Sequence, residues 1–379
     1  MEKRAFTSLK AEVSLLGFGC MRLPQLSKDK PDIDYELGQK MIDRAFERGV
    51  NYFDTAWMYH EGLSESFVGR ALSKYPRESF YLATKMPSWL AESPAGVEKI
   101  FSEQLKKCKT GYFDFYLAHN LSRANFAKLR ELGVYEFLAK KKEEGKIRRL
   151  GFSIHDNPET LEQVASAYPW EFAQIQLNYV DWETLDAKRQ YEYLSGRGIP
   201  VIVMEPVRGG ALASLNEKAL AVLKKADPVA SAASWAIRFA ASLPNVLTVL
   251  SGMSNLEQVE DNLAAFDPFR PLSEAEHAVI KEAAAAYRAS GTIPCSGCRY
   301  CMPCPVGVDI PRVFAIYNHY RALGETRMAP IVFRNTYTTL LEDEKAHNCA
   351  DCGQCESHCP QGIKVPGFMK EIAAFAAAG

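Results

Sequence analysis

The chain has 379 residues, of which 47% are hydrophobic and 24% charged, so it contains enough apolar material for one large domain and one small one. Its formal net charge of -1 at pH 7 offers no long-range attraction to nucleic acid or to anionic lipid, and neither is expected as a partner. No apolar run approaches the roughly 20 residues that a membrane-spanning helix needs. Residues 1–6 contain no apolar signal core, which predicts a cytoplasmic protein.

Short apolar runs alternate with longer amphipathic stretches from residue 13 to about residue 255. This alternation is typical of strand–helix units. The runs predicted as strands are residues 13–18, 50–54, 80–84, 113–118, 149–154, 172–177, 201–204 and 247–250. Eight such units predict an α/β protein built as a closed parallel (β/α)8 barrel, or TIM barrel.

Four of the amphipathic stretches show clear helical signals. The predicted helices are residues 34–48, 64–72, 255–266 and 273–288. Gly49 is expected to end the first of them, and Ser64 is expected to cap the second.

Residues 289–294, Ala-Ser-Gly-Thr-Ile-Pro, interrupt the helical pattern. They predict a boundary between a barrel domain, residues 1–288, and a second domain, residues 289–379. Within the second domain, residues 311–323 begin with Pro and carry apolar side chains at helical spacing. The small domain is therefore expected to be mainly helical.

A doubly wound dinucleotide-binding fold is the alternative architecture. Such a fold would carry Gly-x-Gly-x-x-Gly after its first strand. Residues 17–22 read Gly-Phe-Gly-Cys-Met-Arg, so the motif stops after two glycines. The barrel is the favoured prediction.

Eight of the ten cysteines lie in two short runs near the carboxyl terminus, each followed by Pro. They are Cys295, Cys298, Cys301 and Cys304 in the first run and Cys349, Cys352, Cys355 and Cys359 in the second. This spacing is close to that of bacterial ferredoxins, which predicts two 4Fe-4S clusters. In the first run two residues separate Cys301 from Cys304, where three are commoner.

In two-cluster ferredoxins the fourth cysteine of each run ligates the other cluster. That resemblance implies that Cys359 completes the cluster of the first run and that Cys304 completes the cluster of the second. Structural zinc and disulfides are the alternatives. Zinc usually takes two separated Cys-x-x-Cys pairs, and disulfides need an oxidising compartment.

Polar residues terminate three successive apolar runs of the predicted barrel. Asp54 and Lys85 each end a run, Tyr59 follows Asp54 in the next loop, and His119 ends the run at residues 113–118. Barrel chemistry lies where the strands end, so these four side chains are the predicted catalytic residues.

At these positions the sequence resembles the aldo/keto reductase family, in the branch that carries iron–sulfur clusters. The motifs that carry the resemblance, over about residues 8 to 265, are Phe53-Asp54-Thr55-Ala56 with Tyr59, Ser64-Glu65-x3-Gly69-x-Ala71-Leu72, Ala83-Thr84-Lys85, Asp114-x-Tyr116-Leu117-x-His119 and Gly145-Lys146-Ile147-Arg148-x2-Gly151-Phe152-Ser153. The family reduces carbonyl compounds with a nicotinamide dinucleotide, NAD or NADP. A small-molecule aldehyde, ketone or related unsaturated carbonyl is therefore the expected substrate.

The resemblance implies a role for each catalytic residue. Tyr59 donates a proton to the carbonyl oxygen, although a Tyr in water has a pKa of about 10. Lys85 stabilises the phenolate that remains, and Asp54 is the counter-ion of Lys85. His119 hydrogen-bonds the substrate oxygen.

The resemblance also implies where the dinucleotide binds. The expected contact residues are Gly19, Met21, Ser153, His155, Gln174, Met204, Glu205, Pro206, Arg208, Gly210, Gly252, Ser254, Gln258 and Asn262. The family usually has Asn directly after Ser153, whereas this chain has Ile154 and then His155. Residues 251–262 hold no Lys or Arg, so a preference for NADP over NAD is not predicted.

Candidate substrate-contacting residues are Arg22, Trp57, Trp89, Tyr179 and Trp182, and Arg22 would suit an anionic group. Hydride transfer moves two electrons, whereas a 4Fe-4S cluster moves one. Since the chain shows no flavin motif, we expect the clusters to serve accessory electron transfer, with a possible redox partner protein, or structure. The second hypothesis is that the barrel is a nucleotide sensor and the cysteine-rich tail an electron-transfer module that docks a redox partner.

Overall fold

The computed structural model describes residues 1–6, 10–27, 32–289, 291–323 and 329–377. The chain forms two compact units. The first consists of Met1–Pro206 and Ala236–Leu272, and the second of Val207–Trp235 and Ser273–Gly379. No helix within the described residues is both long enough and apolar enough to cross a membrane. The domain limits predicted from the sequence, 1–288 and 289–379, stay a proposal.

The first unit contains a closed barrel of eight parallel strands, as predicted. The strands of the chain are β1 (Lys3–Phe6), β2 (Ala11–Ser14), β3 (Leu16–Gly19), β4 (Tyr52–Asp54), β5 (Tyr81–Met86), β6 (Phe113–Ala118), β7 (Ile147–Ile154), β8 (Ala173–Gln176), β9 (Val201–Met204) and β10 (Val246–Gly252). Strands β3 to β9 follow one another around the barrel, and β10 closes it between β9 and β3. All eight carboxyl ends therefore lie on one rim.

The strand predicted at residues 13–18 is wrong in its extent. Strand β2 ends at Ser14 and β3 begins at Leu16. Strand β2 pairs antiparallel with β1, whereas β3 belongs to the barrel. The hydroxyl of Ser14 donates to the Leu16 carbonyl at 2.7 Å, which stabilises the interruption between the two strands. Ala11 and Val13 pack in the same apolar core as barrel residues such as Phe115.

Sixteen helices are present in the described residues. They are α1 (Tyr35–Glu47), α2 (Ser64–Leu72), α3 (Pro94–Lys107), α4 (Arg123–Glu131), α5 (Val134–Glu143), α6 (Pro158–Ala167), α7 (Asp181–Thr184), α8 (Ala187–Gly196), α9 (Glu217–Ala226), α10 (Ala232–Ala241), α11 (Leu256–Ala265), α12 (Glu274–Arg288), α13 (Ile310–Leu323), α14 (Ala329–Tyr337), α15 (Gln354–His358) and α16 (Val365–Ala377). Asp34 caps α1, Asn255 caps α11, and Ser273 forms a capping box with Glu276 at α12.

The predicted cap at Ser64 is wrong, because Ser64 is already inside α2 and Leu63 is the residue before it. The Ser64 hydroxyl instead donates to the Cys20 carbonyl at 2.9 Å and lies 2.9 Å from the Thr55 hydroxyl. The Ser64 side chain therefore connects the start of α2 to the loops that follow β3 and β4.

The second unit is helical, with α12 packed along α9 and α13 along α14. Residues 311–323 lie in α13, as predicted. Its buried core includes Val308, Val313, Phe314, Phe333 and Met369. Six of the eight clustered cysteines pack partly buried against this core, namely Cys295, Cys301, Cys304, Cys349, Cys355 and Cys359.

Candidate active site and cysteine clusters

Lys85 lies at the centre of the candidate active site, with none of its surface exposed. Its ammonium donates to Asp54 Oδ1 at 2.5 Å and to the Thr55 carbonyl at 2.8 Å. The third partner is the Tyr59 hydroxyl, 3.4 Å from Nζ. The parallel pairing of β4 with β5 places these groups together, because it brings Asp54 opposite Ala83, two residues before Lys85.

Asp54 is buried beside this ammonium. Burial raises the pKa of the Asp54 carboxyl, and the charge and hydrogen bond of Lys85 oppose that rise. A charge in an apolar interior is stable only when it is paired, so each member of this pair requires the other.

Tyr59 is half-buried and lies on a short loop with an unusual backbone. The next two residues, His60 and Glu61, both adopt left-handed conformations, with φ of 51° and 53°. The His60 imidazole Nε2 accepts a hydrogen bond from the Leu23 amide at 3.0 Å, which anchors the loop to the chain after β3. The loop is therefore anchored directly after Tyr59.

His119 is buried at the end of β6, and its ring centroid lies 6.3 Å from that of Tyr59 and 5.2 Å from that of Trp89. Burial lowers the pKa of His119 well below 6.5, and the positive charge of Lys85 and that of His155 when it is protonated act in the same direction. The imidazole is consequently neutral near pH 7, which suits it to donate a hydrogen bond and not to act as the acid.

Ser153 and Gln174, the predicted carboxamide contacts, are neighbours in the pairing of β7 with β8. The Ser153 hydroxyl accepts from the Asn120 amide at 2.8 Å. Gln174 Nε2 lies 3.5 Å from the Met204 sulfur, and its Oε1 is buried without a hydrogen-bond partner among the described residues. A buried acceptor of this kind fits the amide N–H of a nicotinamide, because such an atom is costly when left unpaired.

His155 stands one position beyond the usual Asn of the family motif and is turned toward Gln176. Its Nδ1 lies 3.3 Å from Gln176 Oε1, and Gln176 Nε2 donates to Asp181 at 2.8 Å. Burial lowers the pKa of His155 to about 4. The sequence alone did not indicate this chain of hydrogen bonds.

Two glycines at the barrel rim are paired, since Gly19 of β3 stands opposite Gly252 of β10 on one side and Asp54 on the other. Met21 follows in a short 3-10 turn, Cys20–Arg22. Beyond β10, the Ser254 amide donates to Gln258 Oε1 and the Ser254 hydroxyl to the Arg22 carbonyl, each at 2.8 Å.

At the same end, Asn262 Nδ2 donates to the Ser251 hydroxyl at 2.7 Å. The predicted adenosine-end residues Gly252, Ser254, Gln258 and Asn262 thus lie close together. Arg22, predicted near the substrate, lies beside this segment. A Cβ atom at Gly252 would be 3.3 Å from the Arg22 side chain.

The predicted pyrophosphate loop is divided between the two units. In the first unit, Glu205 has a φ of 55° and its carbonyl accepts from Asn178 Nδ2 at 3.1 Å, and the buried Pro206 follows. In the second unit, Arg208, Gly209 and Gly210 have φ of 51°, 64° and 99°. Arg208 is buried, and a Cβ atom at Gly209 would overlap the Ser296 carbonyl.

The aromatic residues predicted near the substrate lie in three places. Trp89 lies beside His119, whereas Tyr179 and Trp182 both pack edge-on against Phe239. Trp57 lies under the Lys107 ammonium, which is 3.6 Å from its ring centroid.

The cysteines are brought together in two groups of four. Burial, together with the neighbours Cys298, Cys295 and Cys359, raises the pKa of the Cys301 thiol to about 12. Burial also raises the pKa of Cys355, which has as neighbours Cys349, Cys352 and Cys304. Each group contains three cysteines of one run and the last cysteine of the other.

Such donor sets fit 4Fe-4S clusters, which are held by four thiolates. No three His, Cys, Asp or Glu side chains in the described part of the chain converge closely enough to hold a single metal ion. The two groups are those of the cross-over hypothesis, which stays a hypothesis about the cluster ligands.

Three residues around Lys85 were missed as functional residues in the sequence. The Thr55 carbonyl accepts a hydrogen bond from the Lys85 ammonium. Gln104 and Glu65 form a buried hydrogen-bond network against β5, the strand that carries Lys85. A carbonyl group has no sequence signal. Glu65 had one, because it belongs to the Ser64-Glu65-x3-Gly69 motif that carries the family resemblance.

Comparison with known proteins gives two family matches. The model of the aldo/keto reductase family matches residues 15–285, and the model of a 4Fe-4S dicluster domain matches residues 294–363. The first implies a nicotinamide dinucleotide, and the second implies two 4Fe-4S clusters.

Individual relatives agree with these matches. The chain is 32% identical to a probable aldo-keto reductase 1 of Glycine max over 208 residues, which span 52% of this chain and 57% of that protein. It is 27% identical to L-galactose dehydrogenase of Arabidopsis thaliana, over 70% of this chain and 88% of that one. The holo form of aldo-keto reductase AKR11C1 from Bacillus halodurans is similar with a TM-score of 0.63 and 27% identity, covering 75% of this chain and 96% of that one. Since the first family model matches well over half of the chain, this protein belongs to the aldo/keto reductase family and is an oxidoreductase that carries a 4Fe-4S dicluster domain.

Proposed function

We propose that this enzyme reduces the carbonyl group of a small molecule with NAD(P)H and that Tyr59 donates the proton. The observation that carries the proposal is the arrangement around Lys85, whose ammonium lies between the Asp54 carboxylate and the Tyr59 hydroxyl, at 2.5 Å and 3.4 Å. A phenol is a weak acid near pH 7 and needs a neighbouring cation to serve as a proton donor.

The chemistry follows from these positions. A bound NAD(P)H supplies the hydride that adds to the carbonyl carbon. Tyr59 gives its proton to the carbonyl oxygen, and Lys85 stabilises the phenolate that remains. The neutral His119 donates a hydrogen bond to the same oxygen and so orients the substrate. The product is an alcohol.

We assign the dinucleotide to the residues predicted from the sequence. Gln174, with its buried carbonyl oxygen, and Ser153 would hold the carboxamide, and Gly252 to Asn262 would hold the adenosine end. Because residues 251–262 contain no Lys or Arg, both NADH and NADPH are to be tested as reductants.

For the iron–sulfur domain, we propose accessory one-electron transfer with a redox partner. Cys352 is exposed, whereas the other seven clustered cysteines are partly buried, so the cluster that Cys352 would bind lies near the protein surface. A cytoplasmic location is part of the same proposal.

The test is Tyr59→Phe, which removes one hydroxyl from the site. A panel of methylglyoxal, benzaldehyde and a methyl ketone is to be reduced with NADH and with NADPH. Loss of a positioned acid costs about 10² to 10⁴ in rate, so kcat should fall by that factor while dinucleotide affinity, measured by fluorescence, is unchanged.

The matched control is Tyr193→Phe, whose hydroxyl makes a 3.4 Å contact with the Glu162 carbonyl on α6. That variant should keep the wild-type rate. Undiminished carbonyl reduction in Tyr59→Phe would contradict the role of Tyr59 as proton donor. No reduction of any carbonyl by the wild-type protein would contradict the whole proposal and favour the alternative of a nucleotide-sensing module that docks a redox partner.

A further inference from the structure

Glu65 is a fully buried carboxylate that the proposed reaction does not use. It lies at the second residue of α2, on the outer side of β5. Its Oε1 accepts from the Thr84 hydroxyl and from Gln104 Nε2, both at 2.7 Å. A carboxylate without surface is costly unless hydrogen bonds and charges stabilise it, so this position needs an explanation.

The first connection leads from Glu65 to Lys85. Gln104 is also fully buried, and its Nε2 donates both to Glu65 and to the Lys85 carbonyl, the latter at 2.9 Å. Gln104 Oε1 in turn accepts from the Tyr116 hydroxyl at 2.5 Å. With its donors and its acceptor engaged, Gln104 cannot shift without breaking bonds to β5 and β6. Lys85 is thereby held from behind its own strand.

The second connection leads from Glu65 to the loop that carries Tyr59. Glu65 Oε2 lies 3.8 Å from the Lys107 ammonium at the end of α3. The same ammonium lies over the ring of Trp57 and close to Gly62, where a Cβ atom would be 3.9 Å from it. Residues 57–62 thus fold around a cation whose counter-ion is Glu65, and Tyr59 lies between them.

Burial and polar contacts act in opposite directions on the charge of Glu65. Burial raises the pKa of this carboxyl above its ordinary value, and the hydrogen bonds from Thr84 and Gln104 and the charges of Lys107 and Lys85 oppose that rise. The amino end of a helix also favours a negative charge within its first turn. Glu65 Oε1 thus accepts two hydrogen bonds, whereas Oε2 has no hydrogen-bond partner among the described residues and lies 3.8 Å from the Lys107 ammonium.

We infer that Glu65 is a positioning residue for the reaction: it sets the distance between Lys85, through Gln104, and the Tyr59 loop, through Lys107 and Trp57. This inference rests on the proposed roles of Tyr59 and Lys85. Glu65 touches neither substrate nor cofactor, so its contribution is to geometry. A misplacement of about 1 Å in a catalytic group costs about 10² in rate.

The primary variant is Glu65→Gln, which keeps shape and an acceptor for Thr84 and Gln104 but places an amide against the Lys107 ammonium. With the best carbonyl substrate of the panel, we expect kcat to fall about 10-fold to 100-fold, while KM and the dinucleotide Kd change less than about twofold. A residue that served stability alone would lower the unfolding temperature and leave kcat per folded molecule unchanged.

The matched control is Glu36→Gln, which removes a first-turn carboxylate from α1, where it is exposed and pairs with Lys40 at 2.7 Å. It should leave kcat unchanged. Lys107→Met tests the second connection on a residue that is partly exposed, and it should lower kcat in the same direction as Glu65→Gln. The double variant should be no worse than the more damaged single variant, because both act on one route.

If Glu65→Gln does not fold, Lys107→Met decides the question. Wild-type kcat in Lys107→Met, or in a folded Glu65→Gln, would overturn the inference. This failure is distinct from failure of the proposed function, in which the wild-type enzyme itself reduces none of the carbonyl panel.

Discussion

The Lys85 ammonium is held by a carboxylate and a backbone carbonyl, and the two partners respond differently to mutation. Asp54 can be exchanged, whereas the Thr55 carbonyl belongs to the main chain and persists in any variant that keeps the fold. Removing one partner of a buried ion pair is costly, since the other charge is left in the interior. Asp54 therefore serves both the folding of the barrel and the charge of the site.

The lowered pKa of His155 predicts that the folded protein loses stability in acid. Its pKa is lowered by burial to about 4 in the folded protein, against about 6.5 when unfolded. Between these values the unfolded chain binds a proton that the folded protein does not, so stability is full above about pH 6.5 and falls as the pH drops toward 4. His119, whose pKa is also lowered, should add to the same loss.

The measurement is the thermal unfolding temperature from pH 7 to pH 4.5. His155→Gln should reduce its decline with falling pH, because one of the groups that titrates differently in the two states is gone. His277→Gln, at an exposed site on α12, should decline as the wild type does. Identical curves for all three proteins would contradict this account.

Among individual residues, the sequence predicted those site residues that lie at the ends of strands. Asp54, Lys85 and His119 each close an apolar run, and the barrel geometry brings such positions to one rim. Glu65 and Gln104 are 39 residues apart, and they meet because α2 and α3 pack side by side. Contacts of this kind depend on helix packing, which no local pattern specifies.

Among the elements, the loop at Arg208 to Gly210 gives the sharpest prediction. Ser296 is buried between Cys295 and Cys298, and its carbonyl occupies the space where a side chain of residue 209 would begin. Gly209→Ala should therefore displace the first cysteine run. We expect the iron content after anaerobic reconstitution to fall from about eight atoms per chain toward about four.

Gly210→Ala is the matched control. Gly210 also has a positive φ, but no atom lies within 4 Å of the place where its Cβ would be. The two variants share the backbone strain and differ in the collision. Equal iron content in both would show that the contact with Ser296 does not support the cluster site.

The predictability of the elements follows their length and environment. Strands β6 and β9 were predicted to the residue, because all but one of their residues are apolar and all but one are buried. The hairpin of β1 and β2 was missed, since Lys3–Phe6 is short and half charged and its partner merged with β3 in the apolar pattern. Ser64 looked like a helix cap, but its hydroxyl is used in a tertiary contact.

For the whole molecule, the question is whether electrons pass from the dinucleotide, a two-electron reductant, to the clusters, which accept one electron at a time. Without a flavin to separate the electrons, direct transfer from dinucleotide to cluster is unfavourable. We therefore expect that NADH or NADPH added anaerobically leaves the visible absorbance of the clusters unchanged. Dithionite, a one-electron donor, should bleach the same sample and serves as the control.

Bleaching by NADH or NADPH alone would contradict this expectation and connect the barrel reaction to the clusters. Unchanged absorbance would leave a protein partner as the source of electrons. The sequence predicted both halves of the molecule, because cysteine spacing and strand-end residues are local signals. It contains no local signal for electron exchange between them.

The exposure of Cys352 has a consequence for handling the protein. Oxidants in solution reach a thiolate on the surface before they reach the partly buried ones of the other group. A sample kept in air would then age in two stages, and a preparation with half of its iron would consist of molecules that retain one cluster and have lost the other. Spectra of such material would describe the sheltered centre alone.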